Sequence, residues 1–140
     1  MTAKILSSQE GEVVSGVGGS VRLLLEGDPV GVWIQTVPPG SGPPLHLHED
    51  ADEAALVLSG EFEWTLAGEV RRLSAGGFLS IPRGVHHRFV NVGETDASFV
   101  AWVTPAGFEG YFRQRVHLDP SKDAEALRRL AQSFGMTVVG

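Results

Sequence analysis

The stretch that decides the fold is Gly40-Ser-Gly-Pro-Pro-Leu-His46-Leu-His48-Glu-Asp-Ala-Asp-Glu53-Ala-Ala-Leu-Val-Leu-Ser-Gly60. His46 and His48 are two residues apart, so on an extended strand both imidazoles project from one face. A helix would turn them about 200° apart, and Pro43-Pro44 just upstream disfavours helix as well. Glu53 then opens an apolar run, Ala54 to Leu58, that reads as the next strand and ends at Gly60. Two imidazoles and a carboxylate on adjacent strands form a facial set for a divalent first-row metal, and one more nitrogen would complete a His3Glu site.

The candidate for that nitrogen lies downstream. Gly76-Gly-Phe-Leu-Ser-Ile-Pro82-Arg-Gly84-Val-His86-His87-Arg-Phe-Val-Asn91 reads as a turn, a short strand, a Pro-Arg-Gly turn and a second strand carrying histidine. The two stretches together resemble the cupins. Gly40, His46, His48, Glu53 and Gly60 fill every position of the first cupin motif, and Gly76, Pro82, Gly84, His87 and Asn91 fill the second. The resemblance implies a jelly-roll barrel with His46, His48, Glu53 and His87 as metal ligands. In that register His87 is the ligand, and His86 points to the other side of its strand. Asp50 and Asp52 read as surface acids, with Asp52 the substitute ligand if the register slips.

Outward from this centre the chain is rich in β signals. Ser20–Glu26 and Val30–Val37 flank a Gly27-Asp28-Pro29 turn. Glu61–Leu66 alternates Phe62, Trp64 and Leu66 against polar residues. Val70–Leu73, Phe78–Ile81, His86–Val92 and Ala97–Thr104 follow, each set off by glycine-bearing turns. Roughly ten strands at this spacing predict an all-β fold, a jelly-roll barrel with a C-terminal helix. The expected organisation is an N-terminal segment with an edge strand over 1–19, the barrel over 20–104 and a helical extension over 105–140. Within the extension, 107–114 reads as a helical turn. Asp119-Pro120 reads as a helix start, Leu127, Leu130, Ala131 and Phe134 form one apolar stripe, and Gly135 caps the end.

Composition narrows the function. At 140 residues, 42% apolar and 20% charged, the chain is one globular domain of ordinary size. A net charge of −6 with no basic stripe argues against nucleic acid as a partner. With no cysteine there are neither disulfides nor thiolate ligands. No leader pattern and no run of membrane-spanning length is present, so the expectation is a cytoplasmic protein that does not engage the membrane.

The residues point to one bound divalent transition metal (Fe, Mn, Ni, Co, Cu or Zn), because nitrogen and oxygen donors without sulfur accept any of these. Four ionisable groups converging on an apolar interior would be costly without a cation between them. The resemblance is greatest to the small bacterial quercetinase-like cupins, and it implies a metal-dependent dioxygenase acting on a small flavonol, phenol or enol substrate. There Glu53 is the candidate catalytic base as well as a ligand. Ala55 and Val57, the inward positions after Glu53, are small and would widen the cavity unless Phe62, Phe89 or Phe99 fills it. Two other readings stand beside this one. A metal-dependent isomerase or lyase for a keto acid or sugar calls for an interior cation, and Arg71, Arg72, Arg83 and Arg88 fall at turns or on the face opposite His87. A non-enzymatic small-molecule binder would need only the pocket. Family members commonly pair, so a homodimer is expected, with Ser20–Val37 and an outward Trp33 or Trp102 as candidate surface.

Overall fold

The computed structural model describes residues 3–16 and 18–139; expectations that touch residues 1, 2, 17 and 140 lie outside them. Among the described residues there are eleven strands: β1 Glu12–Gly16, β2 Gly19–Leu25, β3 Gly31–Val37, β4 His46–His48, β5 Asp52–Ser59, β6 Phe62–Leu66, β7 Glu69–Leu73, β8 Phe78–Ile81, β9 His87–Asn91, β10 Ala97–Thr104 and β11 Met136–Val138. They form two antiparallel sheets, one ordered β1-β2-β3-β10-β5-β8 and the other β11-β4-β9-β6-β7. The all-β expectation holds, and the helical extension is present.

Alternation decides which residues enter the core. In β10, Ala97, Phe99, Ala101 and Val103 are buried while Ser98, Val100 and Trp102 are half-buried on the outer face. In β5, Glu53, Ala55 and Val57 turn inward. Phe62, Trp64, Phe89 and Phe99 fill the interior beyond them. Phe99 lies 4.9 Å from Phe89, 5.3 Å from Trp64 and 5.4 Å from Phe62 between ring centroids, in the tilted and edge-to-face geometries that aromatic quadrupoles favour. The small side chains at Ala55 and Val57 are therefore matched by rings from neighbouring strands, since Val57 pairs with Phe99 across the β5–β10 ladder. At Gly60 the chain turns from β5 to β6 with φ 80°, and a Cβ there would stand 2.4 Å from that of Ala97. Only glycine suits both conditions.

Trp33, expected as an outward residue, is a core residue instead. It is 2% exposed, because Gly31, Trp33 and Val37 make the inward face of β3 and the C-terminal segment covers the ring from the other side. Phe112 and Phe108 lie 5.1 and 6.0 Å from it. Trp102 stays on the outer face beside Phe78, 6.2 Å away.

The C-terminal segment forms a 3-10 turn Phe108–Gly110, α1 Tyr111–Arg115 and α2 Ala124–Ser133. The final helix thus begins four residues later than Asp119-Pro120 implies. The Asp119 carbonyl accepts the N–H groups of both Lys122 and Asp123, and the Asp123 carboxylate reaches back to the N–H of Asp119. These bonds close a separate turn over Pro120-Ser121-Lys122, and helical geometry starts only beyond it. Gly135, with φ 77°, ends the helix as expected. β11 follows at once, an element that three residues of sequence do not announce.

The aromatic quartet makes a direct stability prediction. Phe99→Ala should cost about 3–5 kcal/mol, the usual scale for deleting a fully buried ring. Equilibrium urea denaturation measures this, and a loss under 1 kcal/mol would mean that the interior collapses around the gap.

Candidate metal centre

Three histidines and a glutamate meet between the sheets. β4 is three residues long because Pro43-Pro44 precedes it and the chain leaves the sheet at Glu49. His46 pairs with His87 across the β4–β9 ladder, which sets their rings side by side with centroids 4.2 Å apart. Both histidines of β4 face inward, as their spacing requires. One nitrogen from each of His46, His48 and His87 lies within 4.8 Å of the others, and all three residues are buried. Glu53 comes from the facing sheet, not from a strand paired with β4 as the sequence order suggests. Its Oε1 is 3.0 Å from His48 Nε2 and 3.6 Å from His87 Nε2.

Hydrogen bonds orient two of the rings. Nδ1 of His46 bonds the carbonyl of Pro44 at 2.9 Å, and Nδ1 of His87 bonds that of Val85 at the same distance. Each carbonyl belongs to the residue two positions before its histidine, so local backbone fixes Nδ1 as the protonated nitrogen and leaves Nε2 as the bare donor. His87 Nε2 is buried without a hydrogen-bond partner, and so is His48 Nδ1.

The electrostatics suit a cation. Burial and the neighbouring His87 push the His46 imidazole down from 6.5 to about 3, with small opposing effects from Pro44 and Glu53. It is therefore neutral at pH 7, as a ligand must be. For Glu53, burial opposes the charge, but His48 and His87 beside it outweigh that and hold the carboxyl well below the usual carboxylate range. A buried carboxylate facing the imidazoles of His48 and His87, with no lysine or arginine paired to it among the described residues, is a donor set that a divalent cation completes.

The remaining sequence candidates fall outside the cluster. His86 is exposed. Asp52 is bound to Arg83, whose backbone N–H and Nε donate to Oδ1 at 3.0 and 3.1 Å while Nη2 donates to Oδ2 at 3.2 Å. That pair fastens the Pro82-Arg83-Gly84 turn to β5 and occupies the substitute ligand. Asn91 is structural: its Nδ2 donates to Val37 and Thr95 carbonyls, and its Oδ1 accepts the Gly93 N–H.

Sequence reading missed the supports on the far side. β11 pairs with β4, Met136 opposite His48 and Val138 opposite His46, and Glu49 N–H donates to Gly135 at 2.7 Å. Phe108 packs edge-on against His48 at 4.5 Å. Between these supports a cavity of about 240 Å³ opens beside His48, lined also by Asp50, Pro105, Gly107, Phe108 and Phe134. The partial signal available was the aromatic run around Phe108 and Phe112 after the last long strand.

Two facing antiparallel sheets enclosing three converging histidines define a small β-barrel able to hold a metal ion. The cupin domain family matches residues 33–103, just over half of the chain, and the protein belongs to the cupin family. Polyketide synthase CurC of Streptomyces cyaneus is 32% identical over 110 residues, spanning 75% of this chain and 71% of CurC. Quercetin 2,3-dioxygenase of Bacillus subtilis (strain 168) is 44% identical over 50 residues, 36% of this chain but 15% of the relative's length. The solved structure of KdgF from Halomonas sp. superposes with a TM-score of 0.71 at 24% identity, over 78% of this chain and 99% of that one; at that identity the likeness is one of fold.

If the four residues are the ligands, His48→Ala should lose most bound metal from a barrel that stays folded, while His86→Ala keeps its full content. Elemental analysis of both variants, with circular dichroism for folding, checks this. Full metal in His48→Ala would overturn the ligand set.

Proposed function

We propose that this cupin is a metal-dependent enzyme, with His46, His48, His87 and Glu53 as ligands, that dioxygenates a small enolisable substrate of the hydroxylated aromatic or polyketide type. The observation that carries this reading is the character of the space beside His48. Its walls include the rings of Phe108 and Phe134, and among the described residues no lysine or arginine lines it. Asp50 lines the same cavity, so a small dicarboxylate would meet a like charge there and no lysine or arginine. A neutral hydroxylated ring instead gains apolar burial against phenylalanine. The names of the similar proteins, a polyketide synthase and a quercetin dioxygenase, agree with such a substrate.

A divalent cation bound here supplies Lewis-acid chemistry that makes a coordinated hydroxyl acidic. The chain's own part is to hold that hydroxyl, exclude water and receive its proton. Glu53 Oε1, ionised and buried, is the acceptor. His46 and His87 keep their Nδ1 protons on backbone carbonyls throughout, so neither competes for it. The absence of an interior arginine among the lining residues weighs against phosphorylated sugars and keto acids as substrates.

Oxygen uptake by the metal-loaded protein with a flavonol, and none with oxalate, is the expected result. Glu53→Gln, reloaded with metal, should turn over about 10²-fold more slowly or worse, the scale of a lost general base. Full turnover in that variant removes the base role. Flavonol bound but unconsumed, with oxygen uptake absent across hydroxylated aromatics, overturns dioxygenation.

We also infer that two copies pair through the outer face of the six-stranded sheet. Ile34, Val100, Trp102 and Leu56 are half-buried there, and Phe78 is 56% exposed, a contiguous apolar face larger than isolated surface residues explain. Sedimentation equilibrium at tens of micromolar should give twice the chain mass, and Trp102→Glu should halve it. A wild-type monomer sinks the pairing.

A further inference from the structure

Glu109 is a buried carboxylate, 3% exposed, without an ion-pair partner among the described residues. The hydrogen bonds to its carboxyl group come from glycines. Oε1 accepts the N–H of Gly107 at 2.7 Å and Oε2 that of Gly27 at 3.1 Å. A Cβ on Gly31 would stand 2.3 Å from Oε1, so the first residue of β3 leaves the space the carboxylate occupies. Three separate backbone segments thus converge on one carboxyl group: the turn before β3, β3 itself and the loop after β10. Burying a carboxylate on two neutral donors is expensive compared with an apolar side chain of that size. What the arrangement secures is the residue next to it.

That residue is Phe108. Its ring meets the His48 imidazole edge-on, at 4.5 Å between centroids and 77° between planes, and Tyr111 stacks behind it at 5.2 Å. His48 differs from the other two histidines of the cluster. Their Nδ1 atoms are held by the carbonyls of Pro44 and Val85, whereas its Nδ1 is buried with no partner. On the Nε2 side His48 has Glu53; on its flank it has the Phe108 ring.

We propose that Glu109 is a positioning residue for the metal centre: it clamps the Phe108 turn to the turn before β3, so that packing against Phe108 orients His48 where hydrogen bonds orient His46 and His87. This rests on reading the histidines as metal ligands. It does not rest on dioxygenase activity. Gly27, Gly31 and Gly107 become parts of the same device, because each supplies the clamp with an N–H or with room. Phe108 also walls the cavity beside His48, so the clamp fixes that wall as well.

Two variants test this, Glu109→Gln and Phe108→Leu. The amide of Glu109→Gln keeps one acceptor oxygen for two N–H donors, and Phe108→Leu removes the ring while sparing the carboxylate. The probe is Co²⁺, titrated into the apoprotein and followed by its visible d–d spectrum, alongside circular dichroism and thermal unfolding. Both variants should bind Co²⁺ about 10-fold or more weaker, the scale for losing an outer contact that orients a ligand, with an altered d–d spectrum. In the metal-free protein, ¹⁵N-histidine spectra of Glu109→Gln should show the His48 ring signals shifted or doubled and those of His46 and His87 unmoved. A lower unfolding temperature with wild-type cobalt affinity, spectrum and His48 signals would overturn the proposal and leave Glu109 a stabilising residue only. If Glu109→Gln does not fold, Phe108→Leu decides alone: unchanged affinity and spectrum overturn the clamp. Wild-type protein that takes up no Co²⁺ or other divalent metal would instead overturn the ligand reading, and the proposal with it.

Discussion

Glu53 brings a negative charge into the space between two sheets whose inner faces are mostly apolar, and the architecture depends on compensating it. The charge persists because His48 and His87 stand beside it. Those histidines come from the facing sheet, so the interaction ties the two layers together at the end of the barrel where the aromatic packing of Phe62, Trp64, Phe89 and Phe99 gives out. Water cannot solvate the carboxylate there, and no fixed cation of the chain pairs with it among the described residues. A divalent ion would meet that demand with little rearrangement, since each imidazole facing the carboxylate brings a nitrogen to the same small space.

The ligand strands themselves are short, and their precision is borrowed. β4 has one ladder partner residue on β9 and needs β11 on its other side. The Pro82-Arg83-Gly84 turn that delivers His87 is fastened by Asp52 through Arg83, and Gly84 N–H reaches the His48 carbonyl at 2.7 Å. Each histidine is therefore held by backbone from more than one part of the chain. The chemistry proposed for the site draws on four side chains, while their geometry draws on most of the fold.

The convergence of the three histidines was legible in the sequence because their spacing is dictated by strand geometry. A period of two puts His46 and His48 on one face, and the Pro-x-Gly turn sets the phase of His87 against His86. The inward strands β5, β6 and β10 were legible for the same reason. What failed to show was whatever depends on non-local pairing. Sequence order placed Glu53 beside β4, and only the sheet topology reveals that it arrives from across the barrel. Trp33 carried no mark of facing inward, because what buries it is a segment some seventy-five residues further on. Asp119-Pro120 carried a proper helix start, but the Asp123 carboxylate competed for the same backbone. β11 is too short for any periodicity, and it becomes a strand only because β4 offers it an edge.

That last pairing has a consequence for the order of assembly. Joining residues 46–48 to 136–138 closes a loop of about ninety residues, a contact of very high sequence separation whose entropic cost must be met before it yields any stability. Other ladders of the barrel close over shorter loops, as β5 to β10 and β6 to β9 do. Until that pairing forms, the two neighbouring histidines of β4 lie on an unsupported edge. The histidine cluster therefore reaches its final geometry only once β11 has docked, so its shape is set by the last and most distant contact and not by the sheets that enclose it.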